Sequence, residues 1–153
     1  MKNENNTLVV YVGCALTHAS VEYKESIKLL KKHLSQMKGV EVLEFIDLVN
    51  GTPLDVYEHD IHRCVGQAHL VIAECSYPAL GLGWELGAAV EKYQKYVLTV
   101  AKQDAKVTRL ISGAECSRNP KYSFKIYNSF AELVDICTNK IKELQGLSID
   151  NKE

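Results

Sequence analysis

An α/β fold with a parallel sheet is predicted by three features of the chain. Short apolar runs alternate with segments of helical periodicity, the pattern left by strands joined through crossover helices. The 153 residues, 46% of them hydrophobic, suit one domain that buries its own core. No repeat, long linker or low-complexity block divides them. The most economical arrangement is a three-layer, flavodoxin-like (Rossmann-like) domain, its five strands in the order 2-1-3-4-5. We assign residues 1–146 to this domain and expect 147–153, ending in SIDNKE, to be a flexible tail.

The elements follow in order. Strands are predicted at 8–12, 40–45, 70–74, 96–101 and, more weakly, 123–126. The segment 21–37 carries Ile27, Leu30, Leu34 and Met37 at i, i+3, i+7 and i+10, which gives one apolar stripe of a helix. Lys28, Lys31 and Lys32 then read as its solvated face. Further helices are predicted at 55–65, 83–95 and 130–144. Ligands of such a sheet bind where the strand order reverses, at the carboxyl ends of strands one and three. Three stretches converge there: YVGCALTHA after strand one, ECSYPALGLGWELG after strand three, and VYEHDIH from the helix beside the rim.

Composition narrows the partners. A formal net charge of −1 with 24% charged residues offers no clustered positive surface for a nucleic-acid polymer or a membrane. A small molecule is the expected ligand. The five cysteines are odd in number, scattered and never in a C-x-x-C pair, so neither a disulfide framework nor a zinc site is indicated. Reduced thiols suggest the cytoplasm. The N-terminal apolar run is too short for a signal sequence, and no segment reaches the roughly 18 apolar residues that span a bilayer. His18, His59 and His62 lack a metal-ligand spacing, although His59 and His62 at i and i+3 share a helix face; no metal or other cofactor is expected.

The stretch LGLGWELG sets one carboxylate, Glu85, among glycines at a strand-to-helix turn. Such a turn ordinarily invites an anion, because free N–H groups and the helix dipole face it. Glu85 is expected in the first helical turn, where the dipole favours the ionised form. It reads either as a helix cap or as a pre-ionised nucleophile. Gly81 and Gly83 allow close approach of a ligand. The spacing G-x-G-x-x-x-G is not that of a dinucleotide fingerprint. Asp60 borders the apolar side formed by Val56, Ile61, Cys64 and Val65, and reads either as an exposed boundary residue or as a second carboxylate at the crevice. Two carboxylates from separate elements are what glycosidic cleavage needs. Tyr11, at the same rim, reads either as a buried aromatic or as a phenol bonded to the carboxylate.

The strand-one tyrosine, the helix aspartate and the Leu-Gly-x-Gly-aromatic-Glu-Leu-Gly turn together resemble the nucleoside 2-deoxyribosyltransferase superfamily. The likeness runs over about residues 8–127 and is greatest toward the 2'-deoxynucleoside 5'-phosphate N-hydrolase branch. The resemblance implies that Glu85 attacks C1' of deoxyribose and forms a glycosyl-enzyme. Asp60 would bind and protonate the leaving base, and Tyr11 would orient the nucleophile. It implies a nucleoside or nucleotide substrate, with Gly13, Ala79, Gly81 and Gly83 lining the site. It also implies a homodimer or larger homo-oligomer with shared sites, in which Ser117, beside Arg118, comes from a neighbouring subunit. The chain departs from the branch where a Gly-Ser-x-Arg-like phosphate loop is replaced by Gly13-Cys14-Ala15-Leu16-Thr17-His18, and where a phosphate-assisting serine is Ala79. Thr17 and His18 are the available substitutes. The different-class alternative is a non-catalytic nucleotide-binding or sensing module.

Overall fold

The structure, a computed structural model, describes residues 7–46 and 50–150, with side chains to residue 147. Five strands form one all-parallel sheet in the order β2-β1-β3-β4-β5: β1 Leu8–Cys14, β2 Val40–Leu43, β3 Leu70–Glu74, β4 Tyr96–Lys102 and β5 Tyr122–Tyr127. The helices are α1 Val21–Ser35, α2 Pro53–Tyr57, α3 Leu80–Gly87, α4 Arg109–Gly113 and α5 Phe130–Asp150. α2 and α3 each continue in looser π-helical winding, through Glu58–Val65 and Ala88–Lys92. The expected strand order holds.

Alternation along the strands makes the three layers. Val10 and Val12 of β1, Leu70 and Ile72 of β3, and Leu98 and Val100 of β4 share one core with Ile27, Leu30 and Leu34 of α1 and Leu133, Cys137 and Ile141 of α5. Their neighbours Tyr11, Val71, Ala73 and Val97 point the other way, to a second core with Cys64 and Val65 after α2 and Leu82 and Leu86 of α3. Period two puts successive side chains on opposite faces. Each fully buried aliphatic contributes about 1.5–3 kcal/mol, so a one-residue slip of β1 would forfeit both cores.

Local signals fix the helix starts. Ser20 caps α1 by accepting the Tyr23 N–H at 3.2 Å, and Thr52 with Asp55 forms a capping box around Pro53. Gly39, at φ 72°, takes the left-handed turn that returns the chain from α1 to β2.

Several boundaries differ from the sequence expectation. β1 runs on to Cys14, whereas β2 stops at Leu43, its last pairing being Tyr11 with Leu43. Residues 12–14 of β1 thus pass beyond β2. α3 starts at Leu80 rather than 83, with Ala79 as its uncapped N-terminal residue. The short α4 was not expected, because Val107, Leu110 and Ile111 give it less than two turns of pattern. α5, expected to close at 144, runs to Asp150; 151–153 of the expected tail, and 1–6 of the domain, lie outside the described residues. No helix among the described residues is long and apolar enough to cross a membrane.

Candidate active site

The strand order reverses at the carboxyl ends of β1 and β3, where ligands of such a sheet ordinarily bind. Tyr11, 1% exposed, lies within β1 rather than at its end and faces the continuation of α2 and α3. Its hydroxyl donates to Glu85. Two residues on along the same face, Gly13 leaves room for that carboxylate: a Cβ there would stand 2.9 Å from Glu85 Oε2 and 2.9 Å from Leu82 Cδ1. The early start of α3 carries Glu85 into its second turn, not its first. It therefore loses the dipole advantage the sequence suggested, since that effect fades beyond the first turn.

The electrostatic outcome reverses with it. Glu85 is pushed up to about 8, first by burial and then by the neighbouring Asp60 carboxylate, while the Tyr11 hydroxyl and Lys31 act in the opposite direction. The expectation of a pre-ionised carboxylate is corrected: desolvation outweighs its hydrogen bond. Asp60 is also raised by burial, against the pull of the Ile46 N–H, His59 and Lys31. Tyr11 is driven well above its ordinary range by burial and the adjoining carboxylates. Two carboxyl groups so coupled titrate as a pair.

Asp60 is 8% exposed, buried rather than at an exposed boundary. It lies in the π-wound continuation of α2, a kind of turn often found at functional sites. Ile46 donates its backbone N–H to Asp60 Oδ1 at 3.1 Å. The carbonyl of Glu44 meets His59 Nε2 at 2.6 Å and accepts from Cys64 Sγ at 3.5 Å. Segment 44–46 is thereby tied to the continuation of α2.

Lys31 is the clearest residue the sequence reading missed. Lys28 and Lys32 are exposed, but Lys31 is 7% exposed and so is not part of a solvated face. It reaches segment 44–46, where Nζ lies 3.0 Å from Glu44 Oε2 and 3.7 Å from the centroid of the Phe45 ring. A signal existed: Lys31 is four residues after Ile27 and three before Leu34, on the apolar stripe itself.

The histidines divide. His62 Nδ1 lies 3.0 Å from the Tyr93 hydroxyl, whereas the ligand atoms of His59, Asp60 and Cys64 lie within 4.8 Å of one another. That trio could in principle hold an ion. Its donors, however, already engage Glu44 and Ile46, and burial pushes the Cys64 thiol up to about 12. A thiol so disposed favours its protonated form over the thiolate a metal requires.

The remaining expected site residues spread out. Thr17 and His18 are exposed in the loop after β1. Gly81 and Gly83 sit on the first turn of α3 with open space where a side chain would project, and partly buried Ala79 lines a 330 Å³ pocket with Tyr77, Leu82 and Thr108. Ser117 and Arg118 are exposed beyond α4. Arg118 borders an open groove of 780 Å³ whose walls include Lys95, Arg109 and Lys121 but none of Tyr11, Asp60 or Glu85.

A further buried carboxyl group was also missed. Glu74, at the end of β3, is fully buried on the opposite face of the sheet from Tyr11. Tyr127 donates to its Oε1 at 2.9 Å, Ser76 donates through Oγ and through N–H, and Tyr23 donates to its backbone carbonyl at 3.2 Å. This cluster joins α1, β3 and β5 behind the crevice. Its signal was the carboxylate closing an otherwise apolar strand, LVIAE.

No protein-family model matches the chain, and no curated protein matches it. Among solved structures, the Clostridium botulinum CMP N-glycosidase BcmB is similar with a TM-score of 0.64 at 21% identity, over 85% of this chain and 98% of that one. The Francisella novicida lysine decarboxylase LdcF is similar with a TM-score of 0.52 at 11% identity, over 93% of this chain and 18% of that one. At these identities the likeness is one of fold.

Proposed function

We propose that the protein cleaves the N-glycosidic bond of a 2'-deoxyribonucleoside or its 5'-monophosphate, by hydrolysis or by transfer of the deoxyribosyl group to another base. The observation that carries this reading is the meeting of Tyr11, Glu85 and Asp60 at the sheet's reversal point. The productive form of the carboxyl pair has the proton on Asp60 and the charge on Glu85. Glu85 attacks C1' as the C1'–N bond breaks, and Asp60 gives its proton to the departing base. Asp60, now a carboxylate, then takes a proton from water as that water displaces Glu85 from the glycosyl-enzyme. In transfer, a second base replaces water. Tyr11 donates to Glu85 and favours its ionised state, while Gly13 keeps the approach to the carboxylate open.

The solved glycosidase is named for CMP, a ribonucleotide, whereas the turn around Glu85 resembles that of deoxyribosyl enzymes. Substrates should therefore be compared in both sugar series. Homo-oligomerisation is part of the proposal: Leu80 and Trp84, 96% and 68% exposed, lie one turn apart on α3, an apolar pair suited to contact a second subunit. The test is turnover of nucleosides and 5'-monophosphates, ribo and 2'-deoxy, with and without an acceptor base. Release of free base that requires Glu85 supports the reading. Tight nucleotide binding without base release from any of them would leave the sensing module as the function.

A further inference from the structure

We propose that Lys31 is a positioning residue for the Asp60–Glu85 pair, acting both as the cation buried beside the two carboxylates and as the clasp of segment 44–46. The inference rests on the glycosidase reading for its meaning in catalysis, but the charge coupling itself does not depend on it. Lys31 is the one buried lysine or arginine among the described residues. Its ion-pair partner does not account for that burial: the Glu44 side chain is 70% exposed, and a pair with so solvated a carboxylate contributes little. Removing an ammonium from water is costly unless other charges or dipoles compensate. The Phe45 ring beneath Nζ supplies part of that compensation. Asp60 and Glu85, both of which feel Lys31, supply the rest.

The mechanical link is equally direct. Lys31 binds Glu44 and Phe45 from the α1 side. Glu44 receives His59 and Cys64 through its carbonyl. Ile46, two residues on, holds Asp60 by its N–H. The shortness of β2 permits this, because segment 44–46 leaves the sheet after Leu43 and is free to bridge α1 and the continuation of α2. The titratable groups coupled to the carboxyl pair are Tyr11 and Cys14 on β1, Lys31 on α1, and His59 and Cys64 on the continuation of α2, while Glu44 after β2 is coupled to Cys64. Of these, Lys31 is the one lysine. One positive charge against two carboxyl groups favours the singly ionised pair that the chemistry uses.

The experiment is a carbon-13 NMR titration of the Glu85 side-chain carboxyl in the parent, Lys31→Met and Lys31→Arg, without substrate, alongside kcat and KM for the best substrate as a function of pH. Lys31→Met should raise the Glu85 midpoint by about one pH unit, the effect of removing one nearby charge in a medium of intermediate dielectric. Lys31→Arg should recover most of the shift. Turnover at neutral pH should fall about tenfold through kcat, with KM changing less. A folded Lys31→Met protein with an unmoved Glu85 midpoint overturns the proposal. Should Lys31→Met not fold, Lys31→Gln is read against the same midpoint, and an unmoved value there overturns it equally. A shifted midpoint with no base release from any nucleoside supports the coupling and instead refutes the glycosidase reading.

Discussion

Glu85 occupies the space that a side chain at position 13 would need: a Cβ on Gly13 would meet its Oε2 at 2.9 Å. The same Cβ would meet Leu82 Cδ1 at 2.9 Å, so the ends of both side chains would have to move. Gly13→Ala should therefore displace the carboxylate while sparing the strand, since Gly13 pairs with Ala73 in ordinary parallel register. Overpacking of this kind costs about 1–3 kcal/mol. A shift of about 1 Å at a reacting group can cost about a hundredfold in rate. Urea unfolding and single-turnover rates on the purified variant give the two values. Full activity in Gly13→Ala would mean that Glu85 is not held against β1.

The burial of Glu85 predicts an opposition between stability and chemistry. Its folded-state value of about 8, against an ordinary 4.5, means that the folded form holds the proton more tightly. That contribution is fully present below about 4.5 and is lost as pH rises through about 8. Glu85→Gln carries no such penalty. It should be more stable than the parent at pH 8 by about 2 kcal/mol, allowing for partial solvent access, and converge with it near pH 5. Base release should be abolished. Urea denaturation at both pH values reads the first effect; a Glu85→Gln protein less stable than the parent at pH 8 contradicts it.

Tyr11→Phe removes the hydrogen bond that favours ionised Glu85. A hydrogen bond to a charged group is worth about 1.5–3 kcal/mol, so turnover at the pH optimum should fall roughly ten- to a hundredfold. The sign extends to the profile. With less support for the anion, the last proton of the pair leaves at higher pH, and the alkaline limb should move upward. An unchanged rate and an unchanged profile would reduce Tyr11 to packing.

The α/β class was legible because near-continuous apolar runs mark β1, β3 and β4 as buried parallel strands and the α1 stripe is regular, and the strand order followed as the most economical arrangement for such a chain. The three residues that meet at the crevice were legible as candidates through the glycine turn, the helix boundary and the strand tyrosine. Their electrostatics were not. Whether Glu85 falls in the first or second turn of α3 depends on where the helix begins, and Ala79 gives no side-chain cap to mark it. Lys31 was hidden for a different reason. A lysine on an apolar stripe usually extends its head to water, and its burial here follows from Phe45 and the carboxylates, groups that lie far off in sequence or beyond the end of β2. Glu74 shows the same limit, because its partners Tyr23, Ser76 and Tyr127 are brought together only by the folded sheet.

The Glu74 cluster should report on stability alone. Tyr127→Phe deletes the 2.9 Å bond to Oε1 but leaves both Ser76 donors. A loss of about 1–2 kcal/mol is expected. Because the group faces the core with α1 and α5, not the one with Tyr11, turnover should change little. A Tyr127→Phe protein of parental stability but impaired turnover would instead connect this cluster to the crevice.

In the proposed oligomer, sites are shared between subunits. Within one chain, Ser117 and Arg118 do not meet Glu85: both are exposed beyond α4, and the groove that Arg118 borders excludes the Tyr11, Asp60 and Glu85 walls. Any role for them on a substrate phosphate therefore requires a second copy of the chain. Arginine can hold a phosphate by paired hydrogen bonds, so Arg118→Ala should weaken binding of 5'-monophosphates while sparing free nucleosides. Complementation separates a shared site from a local one. When subunits carrying Glu85→Gln are unfolded and refolded with subunits carrying Arg118→Ala, a mixed dimer regains one site with both residues intact. Random pairing then restores about a quarter of the parental monophosphate activity at limiting substrate. If the two residues act in one chain, no mixed dimer contains a complete site, and mixing yields no more than the sum of the separate variants. Sedimentation velocity on the parent supplies the independent check, because an active monomer is incompatible with any contribution from a partner.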